Sequence, residues 1–231
     1  MRSRPAAVAA ARTDPPAMTR PGGAFWYARH RDGDSPGHTL TGMATDEFPD
    51  GTVVDLPGPP QRPAGWALQA RVPVPGRVPS SVVVARAVAP EAPHLWCVLV
   101  PASPDRPGRL DLIGFSTAHH PDGAVMGADT FTALDIAWSN QVCALRWDPP
   151  TGVVEQVYVA PEHRRLGLAT KQTMVAAGIR TAMGWASLRS DGRLTDLGDT
   201  WLSEAPDWWR HRVPTRTAHL PPMTPGDGGP T

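Results

Sequence analysis

Arg164, Arg165 and Gly167 stand together in the run Pro161-Glu162-His163-Arg164-Arg165-Leu166-Gly167-Leu168-Ala169-Thr170. Their types suit one task, which is to hold an anion against the main chain. A glycine lets backbone approach a ligand with no Cβ in the way, and guanidinium groups supply charge with several donors each. The amides that open a helix have no intrahelical partner, so they point forward as donors, and the helix dipole adds partial positive charge there. A single anion gains about 0.3 to 2 kcal/mol from the dipole, so useful affinity needs several amides working with Arg164 or Arg165. Thr170 brings a hydroxyl to the same turn.

The flanking sequence supplies the elements that would position this turn. Val153, Val154, Val157, Tyr158 and Val159 are β-branched or aromatic, which predicts a strand over 153–159 that Pro161 ends. After Gly167 the period changes. Leu168, Val175, Ile179 and Met183 return at helical spacing with Ala169, Ala176, Ala177 and Ala182 between them, as in a helix lying close against a sheet. Upstream, Gln141 to Trp147 reads as a strand, and Asp148-Pro149-Pro150-Thr151-Gly152 as the turn that makes it a hairpin with 153–159. Downstream, Gly184 to Leu188 reads as a short strand completing a strand-helix-strand unit with a right-handed crossover. Thr195 then reads as an N-cap, with Asp196 in the first turn of a helix whose apolar side is Leu194, Leu197, Trp201 and Leu202.

Arg164-Arg165-Leu166-Gly167-Leu168-Ala169, preceded by Val157-Tyr158-Val159-Ala160-Pro161-Glu162, resembles the acyl-CoA motif Q/R-x-x-G-x-G/A of the GNAT superfamily of N-acetyltransferases. The resemblance implies an α/β (α+β) GNAT-like acyl-CoA N-acyltransferase fold, a mixed, mostly antiparallel sheet with few helices, shortened at its C-terminal end. It also implies acetyl-CoA as cosubstrate, with Val157, Tyr158 and Val159 bonding the pantetheine arm and Arg164, Arg165, Leu166, Gly167, Leu168, Ala169 and Thr170 forming the phosphate turn. Ser190, Arg193, Thr195, Gly198 and Trp201 approximate a pattern found in GNAT-like proteins of actinobacteria and their phages. An arginine-rich composition, in which Lys171 is the only lysine among 22 basic residues, agrees with such a high-GC bacterial or phage source. Members of the family usually carry helices between their first two strands, and no helical pattern stands there in this chain.

Acetyl transfer needs a held thioester, a base for the amine and a group that protonates the departing thiolate. The base expected is Glu155, on the cofactor strand and sharing a face with Val153, Val157 and Val159, where desolvation would raise its pKa. Its rival reading is a solvent-facing strand carboxylate. The tyrosine that many family members use as acid has no counterpart, since Tyr27 and Tyr158 are the only tyrosines; Ser187, Ser190 or water would have to substitute. Two readings follow: an acyl-CoA-dependent N-acetyltransferase that acetylates an amine, or a catalytically weak or inactive GNAT-like module binding CoA or a protein partner. The acceptor is unidentified, and family analogy leaves a homodimer open.

The rest of the chain bounds these readings. Formal net charge is zero, so no global field recruits nucleic acid or an anionic membrane. Residues 1–37 are rich in Arg, Ala, Pro and Gly and read as a disordered tail with one aromatic patch, Phe25-Trp26-Tyr27; 38–212 read as the GNAT-like domain, clearest over 140–205; and 213–231 as a second disordered tail. Thr52-Val53-Val54 hints at an extended piece. Trp66 to Val72, Ser81 to Val88, His94 to Val100 and Leu110 to Thr117 read as an antiparallel meander, while Thr130 to Trp138 fits either strand or short helix. Trp208 and Trp209 fit one more strand or a capping apolar patch. His119 and His120 read as a loop and not as metal ligands, because neighbours on extended chain face opposite ways. Cys97 and Cys143 read as free buried thiols, which suits a reducing cytoplasm, and no apolar run reaches the length of a membrane span.

Overall fold

The structure is a computed structural model that describes residues 24–31, 33–134, 136–205, 207–210 and 216–219. Its centre is the expected hairpin. Strands β9 (Gln141–Trp147) and β10 (Val153–Val159) pair antiparallel, and the turn between them closes through Asp148 N to Val153 O and Gly152 N to Asp148 O. Gly152 sits at φ +73, and a Cβ there would lie 2.0 Å from the Ser187 carbonyl, so only glycine fits.

Helix α2 (Leu168–Met183) follows, and the two faces it presents are both covered. Leu168 and every residue from Lys171 to Arg180 are buried. One side packs on the sheet of β9 and β10, which continues through β7 (Leu110–Phe115), β6 (Trp96–Pro101) and β8 (Val125–Gly127) on one flank and β11 (Arg189–Ser190) on the other. The opposite side meets a five-stranded sheet in the order β3 (Val53–Asp55), β1 (Trp26–Arg31), β2 (His38–Met43), β4 (Trp66–Val72), β5 (Ser81–Val84). The sheets join at one edge, where Val82 N donates to Gly123 O and Val125 N to Ser80 O, so they wrap the helix between them. Small residues at 169, 176, 177, 178 and 182 let both backbones come close; a Cβ on Gly178 would meet Val82 at 2.7 Å. The architecture is α+β, mostly sheet, with parallel pairs β1–β3, β6–β8 and β10–β11 in otherwise antiparallel sheets.

Alternation explains the core. Cys143, Leu145 and Trp147 of β9 are each buried to 0% exposure on the α2 side, while Trp96, Val98 and Phe115 make a second cluster on the far side of that sheet. Phe131 and Ile136 cover this second cluster. The ambiguous stretch from Thr130 is therefore a cover, entered through the short helix α1 (Ala128–Thr132).

Three expectations for the chain as far as β11 need correction. The aromatic patch assigned to a disordered 1–37 tail belongs to the core: Phe25, Trp26 and Tyr27 are buried, and β1 lies inside the first sheet. Its proline- and glycine-rich surroundings hide a strand whose partners lie elsewhere in the chain; residues 1–23 are outside the described set. The strand expected at Gly184–Leu188 forms one step later, at β11. Gly184 caps α2, Trp185 packs near Trp147 with ring centroids 6.3 Å apart, and the chain must pass the hairpin turn before Arg189 N reaches Gly152 O. Ser81 to Val88 is strand only to Val84, after which the chain turns.

Beyond β11, β12 (Arg193–Leu194) pairs with β13 (Ala218–His219), which lies in the segment expected to be a disordered tail; the rest of that tail is outside the described residues. Helix α3 (Asp196–Ser203) and the single turn α4 (Asp207–Arg210), which carries the buried Trp209, complete the described chain. No helix among the described residues is long and apolar enough to cross a membrane.

Candidate functional site: an amide turn and a cleft

The turn between β10 and α2 leaves its amides bare. A 3-10 turn over Pro161–His163 is closed by His163 N to Ala160 O and Arg164 N to Pro161 O, and the α2 ladder opens with Lys171 N to Gly167 O. Between these, the amides of residues 165–170 meet no acceptor among the described residues. Arg165 at φ +62 and Gly167 at φ +77 are both left-handed, and no side chain caps the helix. Alternating left- and right-handed residues gather successive N–H groups into an anion-binding concavity. Arg165 in this region is strained, since its Cβ crowds the following carbonyl. Ala89 and Ala92 stand 3.5 to 3.8 Å from where a Gly167 Cβ would lie, forming one wall.

The side chains of the turn divide their labour. Arg164 Nε donates to Val159 O at 3.2 Å, which ties the turn to the end of β10 and occupies a carbonyl expected to bond a ligand. Arg165 and Leu166 are exposed, and Leu168 is a core anchor at 1% exposure. Ala169 is half-buried, and Thr170 Oγ1 accepts a 3.0 Å hydrogen bond from Trp201 Nε1. Lys171, close in sequence, adds nothing to the turn: its ammonium donates to Pro93 O and Asp122 Oδ1, each at 2.8 Å, and is buried on the other side of the helix.

A cleft lies beside the turn. β11 pairs with β10 only at Val153–Arg189 and Val154–Ser190, so from Glu155 onward the outer edge of β10, including Val157, Tyr158 and Val159, has no strand partner among the described residues. The space between that edge, α2 and α3 is a cavity of about 80 Å³ whose apolar walls are Val154, Val157, Trp201, Leu202 and Trp209. Thr173 lines it from α2.

Glu155 is not in the setting expected of it. A bulge between Val154 and Gln156 shifts the alternation of β10, so that Val154, Val157 and Val159 all pack toward the core while Glu155 stands unpaired in the ladder. Its Oε1 accepts from Arg109 Nε at 2.6 Å and its Oε2 from Arg106 Nη1 at 3.4 Å, and Arg109 also reaches Asp148 at 3.3 Å. The bond to Glu155 raises the Arg109 guanidinium above its ordinary pKa, against desolvation. The physical correction is that both oxygens of this carboxylate are engaged by arginines, although the residue lines the same cavity as Val154 and Val157.

Among the other polar groups considered, Ser190 Oγ accepts from Gly192 N at 3.0 Å at the mouth of the cleft, and Ser187 belongs to the segment that passes the hairpin turn. His94, His119 and His120 are joined to their own loop, through Nε2 of His94 to His120 O and Nδ1 of His119 to Thr117 Oγ1. No group of three or more His, Cys, Asp or Glu side chains is placed to hold a metal ion among the described residues. What the sequence reading missed is the Thr170–Trp201 bond, the arginines on Glu155 and the position of Thr173. Only Thr173 left a sign in the sequence, as a hydroxyl residue among the alanines of a buried helix. No protein-family model matches the chain, and no curated protein or solved structure matches it.

Proposed function

We propose that the chain is a GNAT-type N-acetyltransferase that moves the acetyl group of acetyl-CoA to an amine. The observation that carries this reading is the run of bare amides over 165–170, set directly after a bulged strand whose parallel neighbour turns away. Those amides and Arg165 offer donors and positive charge to a diphosphate. The free edge of β10 offers hydrogen-bonding groups to an amide-bearing arm, and the cleft beyond it offers an apolar enclosure to a thioester. Each part follows the last along one path, in the order in which phosphates, arm and acyl group follow one another in an acyl-CoA. Calorimetric titration with acetyl-CoA tests the reading. Micromolar binding by the wild-type chain, lost in Gly167→Asp, supports it; no heat from folded wild-type protein rejects it.

A second reading is favoured by Glu155. With its carboxylate engaged by Arg109 and Arg106, the cofactor strand presents no free base, so the chain would bind the coenzyme with little or no turnover, as a module for CoA or a protein partner. Thiol release from bound acetyl-CoA across a panel of primary amines separates the two. Release above the rate without amine supports the enzyme, and tight binding with no release for any amine supports the module.

A further inference from the structure

Thr173 and Thr181 share one helix and dispose of their hydroxyls differently. Thr181 Oγ1 donates to Ala177 O at 2.8 Å, one turn back, where a mid-helix threonine ordinarily sends its proton. Thr173 Oγ1 is buried with no hydrogen-bond partner among the described residues, in a residue only 4% exposed. A buried hydroxyl without a partner opposes folding. An ordered water or a ligand group can complete such a hydroxyl, and Thr173 is the one such hydroxyl among the described residues that lines the cleft.

The surroundings say what that something is. Thr173 lines the cavity of about 80 Å³ beside β10, whose walls include Val157, Leu202 and Trp209. Polar residues at the same cavity are engaged elsewhere: Glu155 with its arginines, Arg193 with Asp191, and Thr195 with Gly198 N. Thr170, three residues earlier on the same face of α2, holds Trp201, so the free hydroxyl lies just inside the wall that joins the amide turn to the cleft. The two cations that line the cavity, Arg189 and Arg193, are exposed, with Arg189 Nε donating to Thr151 O, so they stand at its rim and not at the depth of the buried hydroxyl, and a long chain would find no room. A small uncharged group carrying an oxygen acceptor fits both the volume and the donor.

We propose that Thr173 is a ligand-binding residue of the cleft, its hydroxyl donating a hydrogen bond to the carbonyl oxygen of a short acyl group. The proposal rests on the acyl-CoA reading above and adds to it the residue that distinguishes acylated from free coenzyme. At a buried hydroxyl a hydrogen bond of this kind is electrostatically stronger than in water.

The test is calorimetric titration of the full chain with acetyl-CoA and with free CoA, in wild type, Thr173→Val and Thr173→Ser. Wild type is expected to favour acetyl-CoA by roughly three- to tenfold, the worth of one hydrogen bond. Thr173→Val should abolish that preference while leaving the affinity for free CoA unchanged, and Thr173→Ser should restore it. A preference that survives in Thr173→Val, or an equal loss of both ligands, overturns the role of Thr173 and leaves the acyl-CoA reading standing. Binding of neither ligand by folded wild type overturns both. Thermal melting without ligand gives a second check: Thr173→Val should melt at or above wild type, and a clear fall would reveal a structural partner for the hydroxyl and overturn the proposal.

Discussion

Two helices of this protein begin in opposite ways. α3 is closed by its own sequence: Thr195 Oγ1 accepts from Gly198 N at 3.0 Å, and Asp196 and Asp199 place negative charge in its first turn. α2 has no capping side chain and no acidic residue in its first turn, and arginines precede it. Both starts carry the same backbone need, since the first amides of any helix lack an internal partner. In α3 the chain answers that need, which makes its start structural. At α2 the described residues supply no such answer, and the proposed function rests on that difference.

The sharpest way to break the contrast is to give α2 a cap of its own. Gly167→Asp places a carboxylate among the bare amides and a Cβ at φ +77, and should abolish acetyl-CoA binding, with a loss in calorimetry of about a hundredfold or more if several charge-assisted bonds go together. The left-handed residue adds about 1 to 2 kcal/mol of strain, so melting must be followed in parallel. Arg164→Glu gives α2 the acidic approach that α3 has. It removes the bond to Val159 O and should weaken coenzyme binding by about tenfold or more, in a manner that lessens as salt is raised. In the other direction, Thr195→Ala strips the cap from α3. The expected cost is about 1 kcal/mol, seen as a fall in Tm of about 2 to 4 °C, and Thr195→Asn should recover most of it. The smallest effect is expected at Glu155→Gln. Its partner Arg109 is a third exposed, so water screens the ion pair and its loss should shift the chemical-denaturation midpoint only slightly, with coenzyme affinity unchanged. A much larger fall in acetyl transfer than in stability would return the catalytic role to this carboxylate.

Much of the scaffold was legible before the fold was known. The strands expected at Trp66 to Val72, Gln141 to Trp147 and 153–159 are β4, β9 and β10, and the helix expected after Gly167 is α2. These segments announce themselves locally, through β-branched runs, a change of period and a Pro- and Gly-bearing turn. The N-cap at Thr195 was legible for the same reason. The first strand was not, because Phe25-Trp26-Tyr27 has short apolar content and a proline-rich approach, and its burial depends on β2 and β3. The bulge at Glu155 was hidden too. Alternation counted along one strand assumes an unbroken ladder, and a bulge is a property of the pair.

By itself, the sequence determined where strand gives way to turn and turn to helix around Gly167, because left-handed backbone, bare amides and helical period are set within a few residues. Tertiary structure alone decided what each side chain then meets: arginines from the β7 approach on Glu155, Trp201 on Thr170, and the walls of the cleft on Thr173. Those partners lie tens of residues apart in the chain. Their meeting depends on two sheets closing around one helix, and no local pattern encodes that distance.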